Sequence, residues 1–205
     1  IAIGIREGDS LLEAKLTNGD NHIIMALKSG KAIHFNENAV RSMGRGASGV
    51  RGITLGGPKD EVIGMICVQD SEVDTVLVVS ENGYGKRTEV DDYRITNRGG
   101  KGVKTLNITD KTGPLIALKN VNDSDDLMII NKSGIVIRMS VEDLRTMGRA
   151  TQGVKLINLR NGDSIAAVAK VNAMEEEEGE ELDENSGEPS NETPENPQGE
   201  SDNND

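Results

Sequence analysis

Short runs rich in Val, Ile and Leu recur along the chain, each closed by residues that tolerate tight turns. The first set is 11–16, 22–27 and 32–35, separated by Asn18-Gly19 and Ser29-Gly30. The second is 62–68, 75–80 and 87–90, joined partly by Asn82-Gly83-Tyr84-Gly85-Lys86. The third is 115–121, 127–131 and 136–139, with Ser133-Gly134 between its last two members, and 165–171 starts a further unit. Such runs predict strands, and the Asn-Gly and Ser-Gly pairs predict hairpins, because the turns need residues tolerant of positive φ. A fourth apolar run follows a glycine in each unit. At +1, +4 and +6 from Gly49, Gly102 and Gly153 stand Val50, Ile53, Leu55; Val103, Leu106, Ile108; and Val154, Ile157, Leu159. Strands are therefore expected over 50–55, 103–108 and 154–159. Four strands per repeat of about 50 residues is the arithmetic of a propeller-like blade. Helix is poorly supported, with 141–147 its one candidate. The expectation is an all-β fold of repeated four-stranded blades.

The same period organises the cations. Arg41, Arg45 and Arg51 stand at i, i+4 and i+10; Arg94, Arg98 and Lys104 repeat this spacing 53 residues later, and Arg145, Arg149 and Lys155 after another 51. Each triplet brackets one of the repeat glycines. If every unit presents the same face, positive charge recurs once per unit, an arrangement suited to a regularly spaced polyanion such as DNA.

Bulk charge hides this array. The formal net charge is −12, but residues 174–205 hold 14 Asp and Glu and no Lys or Arg, which leaves 1–173 at about +2. Sign asymmetry between segments, not the overall pI, is what informs about partners. The 174–205 segment is rich in Glu, Asn, Ser and Pro and too poor in apolar side chains to offset ordering entropy, so it is expected to be a disordered acidic tail. Residues 1–173 are long enough for one domain. The single Cys67 excludes an intrachain disulfide framework and reads as a buried reduced thiol. No apolar run reaches the length of about 20 residues that spans a membrane. The chain opens in the middle of a repeat, since Ile3 and Ile5 match Ile53 and Leu55, and a piece of something longer is expected.

Between the third strand and the repeat glycine the loops read R-G-A-S-G (45–49), R-G-G-K-G (98–102) and R-A-T-Q-G (149–153). Small residues allow close approach of a ligand to the main chain, and successive amide N–H groups can form an anion-binding concavity. One such loop alone reads as a solvated surface loop. Three in register favour an anion site.

SMGRGASGVRGITL (42–55), ENGYGKRT (81–88) and TMGRATQGVKLINL (146–159) resemble the C-terminal domain of bacterial DNA gyrase A, a type IIA DNA topoisomerase component, and the resemblance covers 1–173 at the right repeat spacing. It implies a β-pinwheel, a propeller-like disc of blades that exchange strands with their neighbours. It implies a basic rim that binds, bends and wraps duplex DNA and presents a positive crossover for ATP-dependent negative supercoiling. It further implies the gyrase A strand-passage core and gyrase B as partners in an A2B2 heterotetramer, ATP and Mg²⁺ as cofactors of the parent enzyme but none held by this segment, and a cytoplasmic, nucleoid-associated location without membrane contact. The family's gyrase box, Q-R-R-G-G-[KR]-G, is matched only in its second half by residues 96–102, which lack the leading Gln and one Arg, so its role is not carried over to them.

Among the cations, Arg45, Arg98 and Arg149 head the glycine-rich loops and are the first candidates for phosphate contact. Arg51, Lys104 and Lys155 follow, because the position after the first strand residue alternates outward. Arg41, Arg94 and Arg145 rank lower, each with an acid in reach (Glu37, Asp91, Glu142), and Lys31, Lys86, Arg87 and Lys101 supplement them. With Phe35, Tyr84 and Tyr93 as the only aromatics, base stacking on single strands is disfavoured, and duplex backbone recognition fits better. No catalytic constellation stands out. His22 and His34 read as sheet-face histidines, and neither tyrosine has the context of a DNA-cleaving nucleophile. The rival readings are the DNA-bending domain of topoisomerase IV and a propeller scaffold for protein partners. The scaffold is disfavoured by the absence of Trp and by the in-register triplets.

Overall fold

The computed structural model describes residues 2–69, 75–160 and 162–172; the acidic segment 174–205 lies outside them. Eleven strands form among the described residues: β1 (His22–Leu27), β2 (Lys31–Asn36), β3 (Val62–Val68), β4 (Thr75–Ser80), β5 (Tyr84–Glu89), β6 (Val103–Lys104), β7 (Leu115–Val121), β8 (Asp125–Asn131), β9 (Val136–Ser140), β10 (Val154–Lys155) and β11 (Ile165–Asn172). The only helical pieces among them are single 3-10 turns at Glu37–Ala39 and Val90–Asp92. No helix among the described residues is long and apolar enough to cross a membrane.

The strands make three sheets, ordered β3-β1-β2-β6, β10-β5-β4-β7 and β11-β8-β9. Each is built on a hairpin, β1-β2, β4-β5 or β8-β9, and every ladder is antiparallel. The strand after each hairpin's long loop returns to the hairpin's first strand: β3 pairs with β1, β7 with β4 and β11 with β8. The strand that follows the repeat glycine travels further. Val103–Lys104 pairs with Ala32 and Lys31 of the preceding hairpin, and Val154–Lys155 with Gly85 and Tyr84. Neighbouring sheets are therefore stitched together by exchanged strands.

Burial follows this layering. β4 is buried along its whole length, with Val76 and Val78 in the core shared with the first sheet and Leu77 and Val79 in the core shared with the third. A strand covered on both faces reads as a continuous apolar run, as this one does. In the first sheet the faces divide: Ile24 and Ala26 join the core shared with the second sheet, whereas Ile23, Ile33 and Phe35 pack with Ile53 on the other side. Each fully buried aliphatic side chain contributes about 1.5–3 kcal/mol.

Three expectations are corrected. Residues 11–16 form no strand; Leu11 and Leu12 are exposed and Leu16 is completely so. A lone run becomes a strand only on a partner, and no hairpin precedes this one among the described residues. The expected strands 103–108 and 154–159 shrink to two residues each, and 50–55 contains none. The four strands of a sheet come from two successive repeats as drawn from the sequence, because both the return strand and the exchanged strand belong to the following run of residues. Residues 141–147 are a turn, not a helix.

Candidate nucleic-acid interface

The cationic loops are held by a network that repeats from one unit to the next. Thr96 N donates to His34 O (2.8 Å) and Met147 N to Arg87 O (2.9 Å), which starts each loop on the preceding hairpin. Thr54 N donates to Gly100 O (2.8 Å) and Asn107 N to Thr151 O (3.0 Å), which ties the loop's far side to the segment after the preceding repeat glycine. The glycines then bring the chain against β2 and β5. A Cβ on Gly102 (φ +69) would lie 2.5 Å from Ala32 O, and one on Gly153 (φ +75) 2.4 Å from Gly85 O.

Two of the three first-ranked arginines are staples in this network. Arg98 donates from Nε to Ala39 O (2.9 Å) and from Nη1 to Arg51 O (3.0 Å). Arg149 repeats both bonds one unit on, to Asp92 O (3.1 Å) and Lys104 O (2.8 Å). Both side chains remain half-exposed. Each guanidinium is bonded to the main chain of a residue whose own side chain is an exposed cation, so Arg98 stands beside Arg51 and Arg149 beside Lys104. Arg45, the third of the set, is exposed and has no such bond among the described residues.

Arg41, Arg51, Arg94, Lys101, Lys104, Arg145 and Lys155 are all exposed. The expected pairing of Arg41, Arg94 and Arg145 with nearby acids is not seen: none of the ion pairs among the described residues joins them to a carboxylate. Lys31 is half-buried and lies directly opposite Lys104 across the β2-β6 ladder. Like charges in that position repel, and an anion between them relieves the repulsion. Lys155 lies opposite Tyr84, whose ring carries Lys111 Nζ 5.2 Å from its centroid. Lys111 follows no repeat spacing, so the sequence alone does not single it out. A half-open cleft of about 230 Å³ beside the second loop is lined by His34, Arg94, Thr96, Asn97 and Lys101.

Two supplementary candidates are corrected. Lys86 is 1% exposed, with Nζ donating to Gly148 O (2.6 Å), Arg149 O (2.5 Å) and Thr151 Oγ1 (3.1 Å). Burial lowers its pKa to about 8. Arg87 is 8% exposed and bonds Leu144 O and the Asp123 carboxylate. Neither faces outward; each fastens the following repeat. β5 lies inside its sheet between β4 and β10, so its polar side chains end on loop carbonyls and not in solvent.

The histidines have an equivalent structural task. His34 occupies the position of Arg87 in its hairpin, and its Nδ1 donates to Tyr93 O (2.6 Å), the counterpart of Leu144 O. Its Nε2 then accepts from His22 Nδ1 (2.9 Å). Burial lowers the pKa of His34 and favours this neutral form. Tyr93 is buried, its hydroxyl shares a hydrogen bond with Thr105 Oγ1, and burial raises the phenol to about 12. The Cys67 thiol is half-buried and raised by desolvation. No group of three or more metal-ligating side chains lies close together among the described residues.

Comparison with known proteins places this geometry in a family. The model of the "DNA gyrase C-terminal domain, beta-propeller" matches three times, over 21–69, 74–122 and 125–172, each match running from a hairpin through its return strand. The DNA gyrase A protein of Staphylococcus aureus strain MRSA252 is 46% identical over 180 residues, which is 88% of this chain and 20% of that protein; the strain NCTC 8325 protein is 46% identical over 178 residues. The chain thus spans about a fifth of the length of these relatives. A solved DNA gyrase A C-terminal domain superposes with a TM-score of 0.75 at 29% identity, over 83% of this chain and 57% of that one. The C-terminal domain of DNA topoisomerase IV shares the fold, with a TM-score of 0.78 at 22% identity over 84% and 53%. With three in-register matches, strands exchanged between sheets and a close relative along most of its length, the chain belongs to the DNA gyrase C-terminal domain family.

Proposed function

We propose that this chain binds duplex DNA through its repeated cationic loops as part of a type IIA topoisomerase, and that it bends and wraps the duplex along them. The observation that carries the reading is the clustering of Arg98 with Arg51 and of Arg149 with Lys104, each cluster made by a guanidinium of one repeat bonded to the main chain of the repeat before. Positive charge therefore advances by one fixed step per unit. Neutralisation by repeated phosphates is the matching chemistry, and it needs no base reading. Few aromatics argue for duplex over single strands. The names of the relatives support a gyrase-type role: presentation of a wrapped crossover to a strand-passage core, with gyrase A and gyrase B as partners, ATP and Mg²⁺ handled by the assembled enzyme and a cytoplasmic setting.

Fluorescence anisotropy with a random-sequence duplex across a salt series tests the binding. Counterion release predicts a slope of log affinity against log salt of about −0.9 per phosphate contact, and little dependence on sequence. A flat salt response would remove the proposal.

A further inference from the structure

We propose that Lys86 is a positioning residue for the nucleic-acid interface: an internal ammonium that holds residues 148–151 of the third loop and, through them, the Arg149 guanidinium. The inference rests on the DNA reading for its functional half, but the clasp stands on geometry alone. Lys86 lies on β5, inside the second sheet, and its Nζ ends among three oxygens, Gly148 O, Arg149 O and Thr151 Oγ1. A lysine ammonium carries three donors, so the set matches its full capacity. Two of the acceptors are main-chain atoms of the residues that define the turn into Arg149.

The second loop does without this device. There Ile33 takes the place of Lys86, with its Cδ1 3.4 Å from a Cβ built on Gly100, and Gly100 takes the place of Thr151. The cleft beside that loop stays open, lined by Arg94 and Lys101 from outside. Lysine and the hydroxyl that it meets thus occur together, in the one loop that has Ala150, Thr151 and Gln152 where its neighbour has Gly99, Gly100 and Lys101. A loop with fewer glycines and one fewer cation is compensated by a fastening from beneath.

The charged groups around the ammonium are Arg149, which opposes its protonation, and Asp92, which favours it; Val78, its partner across the β4-β5 ladder, and Gly153 are neutral. With burial the dominant cause, Lys86 titrates near pH 8. A phosphate seated at Arg149 adds a negative charge near this group and raises its proton affinity. Duplex binding above pH 8 should therefore take up a fraction of a proton at Lys86.

The test compares the wild-type chain with Lys86→Met, which keeps the apolar stem and removes the charge. Hydrogen exchange of the amides at 150–153 should accelerate about tenfold in the free variant, as expected when a local tie is lost without global unfolding. Duplex Kd should rise about threefold at moderate salt, the share of one phosphate contact, and this effect should vanish in an Arg149→Ala background. In paired buffers of different ionisation enthalpy at pH 8.5, wild type should take up protons on binding and the variant should not. Unchanged exchange at 150–153, or additive effects of the two substitutions on Kd, would overturn the inference. Should wild type fail to bind duplex at all, the functional half falls with the DNA reading, and a persisting exchange difference identifies that failure. If Lys86→Met does not fold, Thr151→Val perturbs the clasp from its loop end and should shift exchange in the same direction.

Discussion

Replacing the repeat glycines by alanine separates the cost of a backbone conformation from the cost of losing an exchanged strand. Gly49, Gly102 and Gly153 share a positive φ of 76°, 69° and 75°. Alanine pays about 1 kcal/mol for that conformation wherever it stands. Beyond it the three positions differ. A Cβ at 49 meets nothing within 4 Å, whereas at 102 it would sit 2.5 Å from Ala32 O and at 153 2.4 Å from Gly85 O. Those neighbours are backbone, so no rotamer relieves the contact, and β6 or β10 must leave its ladder. The Thr105 N–Gly30 O and Leu156 N–Gly83 O bonds adjoin these short strands and would loosen with them. At about 1 kcal/mol net for each of two to three hydrogen bonds, the total becomes about 3–4 kcal/mol for Gly102→Ala or Gly153→Ala, against about 1 for Gly49→Ala. For a domain of this size that is a fall in Tm of about 10 °C against about 3 °C. The chain has no Trp, so differential scanning calorimetry with far-UV circular dichroism is the suitable assay. Equal losses at all three positions would refute the strand-exchange argument.

Other expectations follow from the same network. Arg98→Lys or Arg149→Lys keeps the charge but cannot span two carbonyls, and should cost about 1–2 kcal/mol of stability in urea unfolding, whereas Arg45→Lys should change it by less than about 0.5 kcal/mol. Lys86 binds its proton less tightly folded than unfolded, so stability should rise as pH climbs from about 8 toward 10.5, and Lys86→Met should flatten that rise. The same sign applies to His34, so stability should fall as pH drops below 6.5, read by Tm across acid buffers. Deletion of 174–205 should strengthen duplex binding at low salt if its carboxylates compete for the cationic loops; equal affinity across salt would show that they do not.

Most of the strands can be read from the sequence because they satisfy local rules: apolar runs of the right length with glycine turns between them. What cannot be read depends on partners remote in sequence. Residues 11–16 have the composition of a strand and lack a hairpin to lie on. Val103 and Val154 open apolar frames of six residues, yet only two residues of each pair, because only two reach the preceding hairpin. Periodicity marks Arg98 and Arg149 as special positions, but spacing cannot tell a guanidinium aimed at a phosphate from one bonded to carbonyls of the repeat before. Lys86 and Arg87 read as surface cations in the sequence and are buried in the fold. A signal is present for Lys86: aligning the hairpins places it with Ile33 and Ile137, which are apolar, and a cation in an inward-facing column is a fastening until shown otherwise. Arg87 shares its column with His34 and Arg138, both polar, so only the structure reveals its inward role.

DNA bending along the cationic loops is tested most directly by end-to-end FRET of a duplex labelled at both ends, titrated with the chain and with Arg45/Arg98/Arg149→Ala as salt is raised. Calorimetry must first show that the variant still folds. If the loops carry the duplex, its ends approach on binding, the approach is lost at high salt, and the variant bends the duplex less at equal occupancy. Binding by wild type without any approach of the ends, or undiminished bending by the folded variant, would contradict that role.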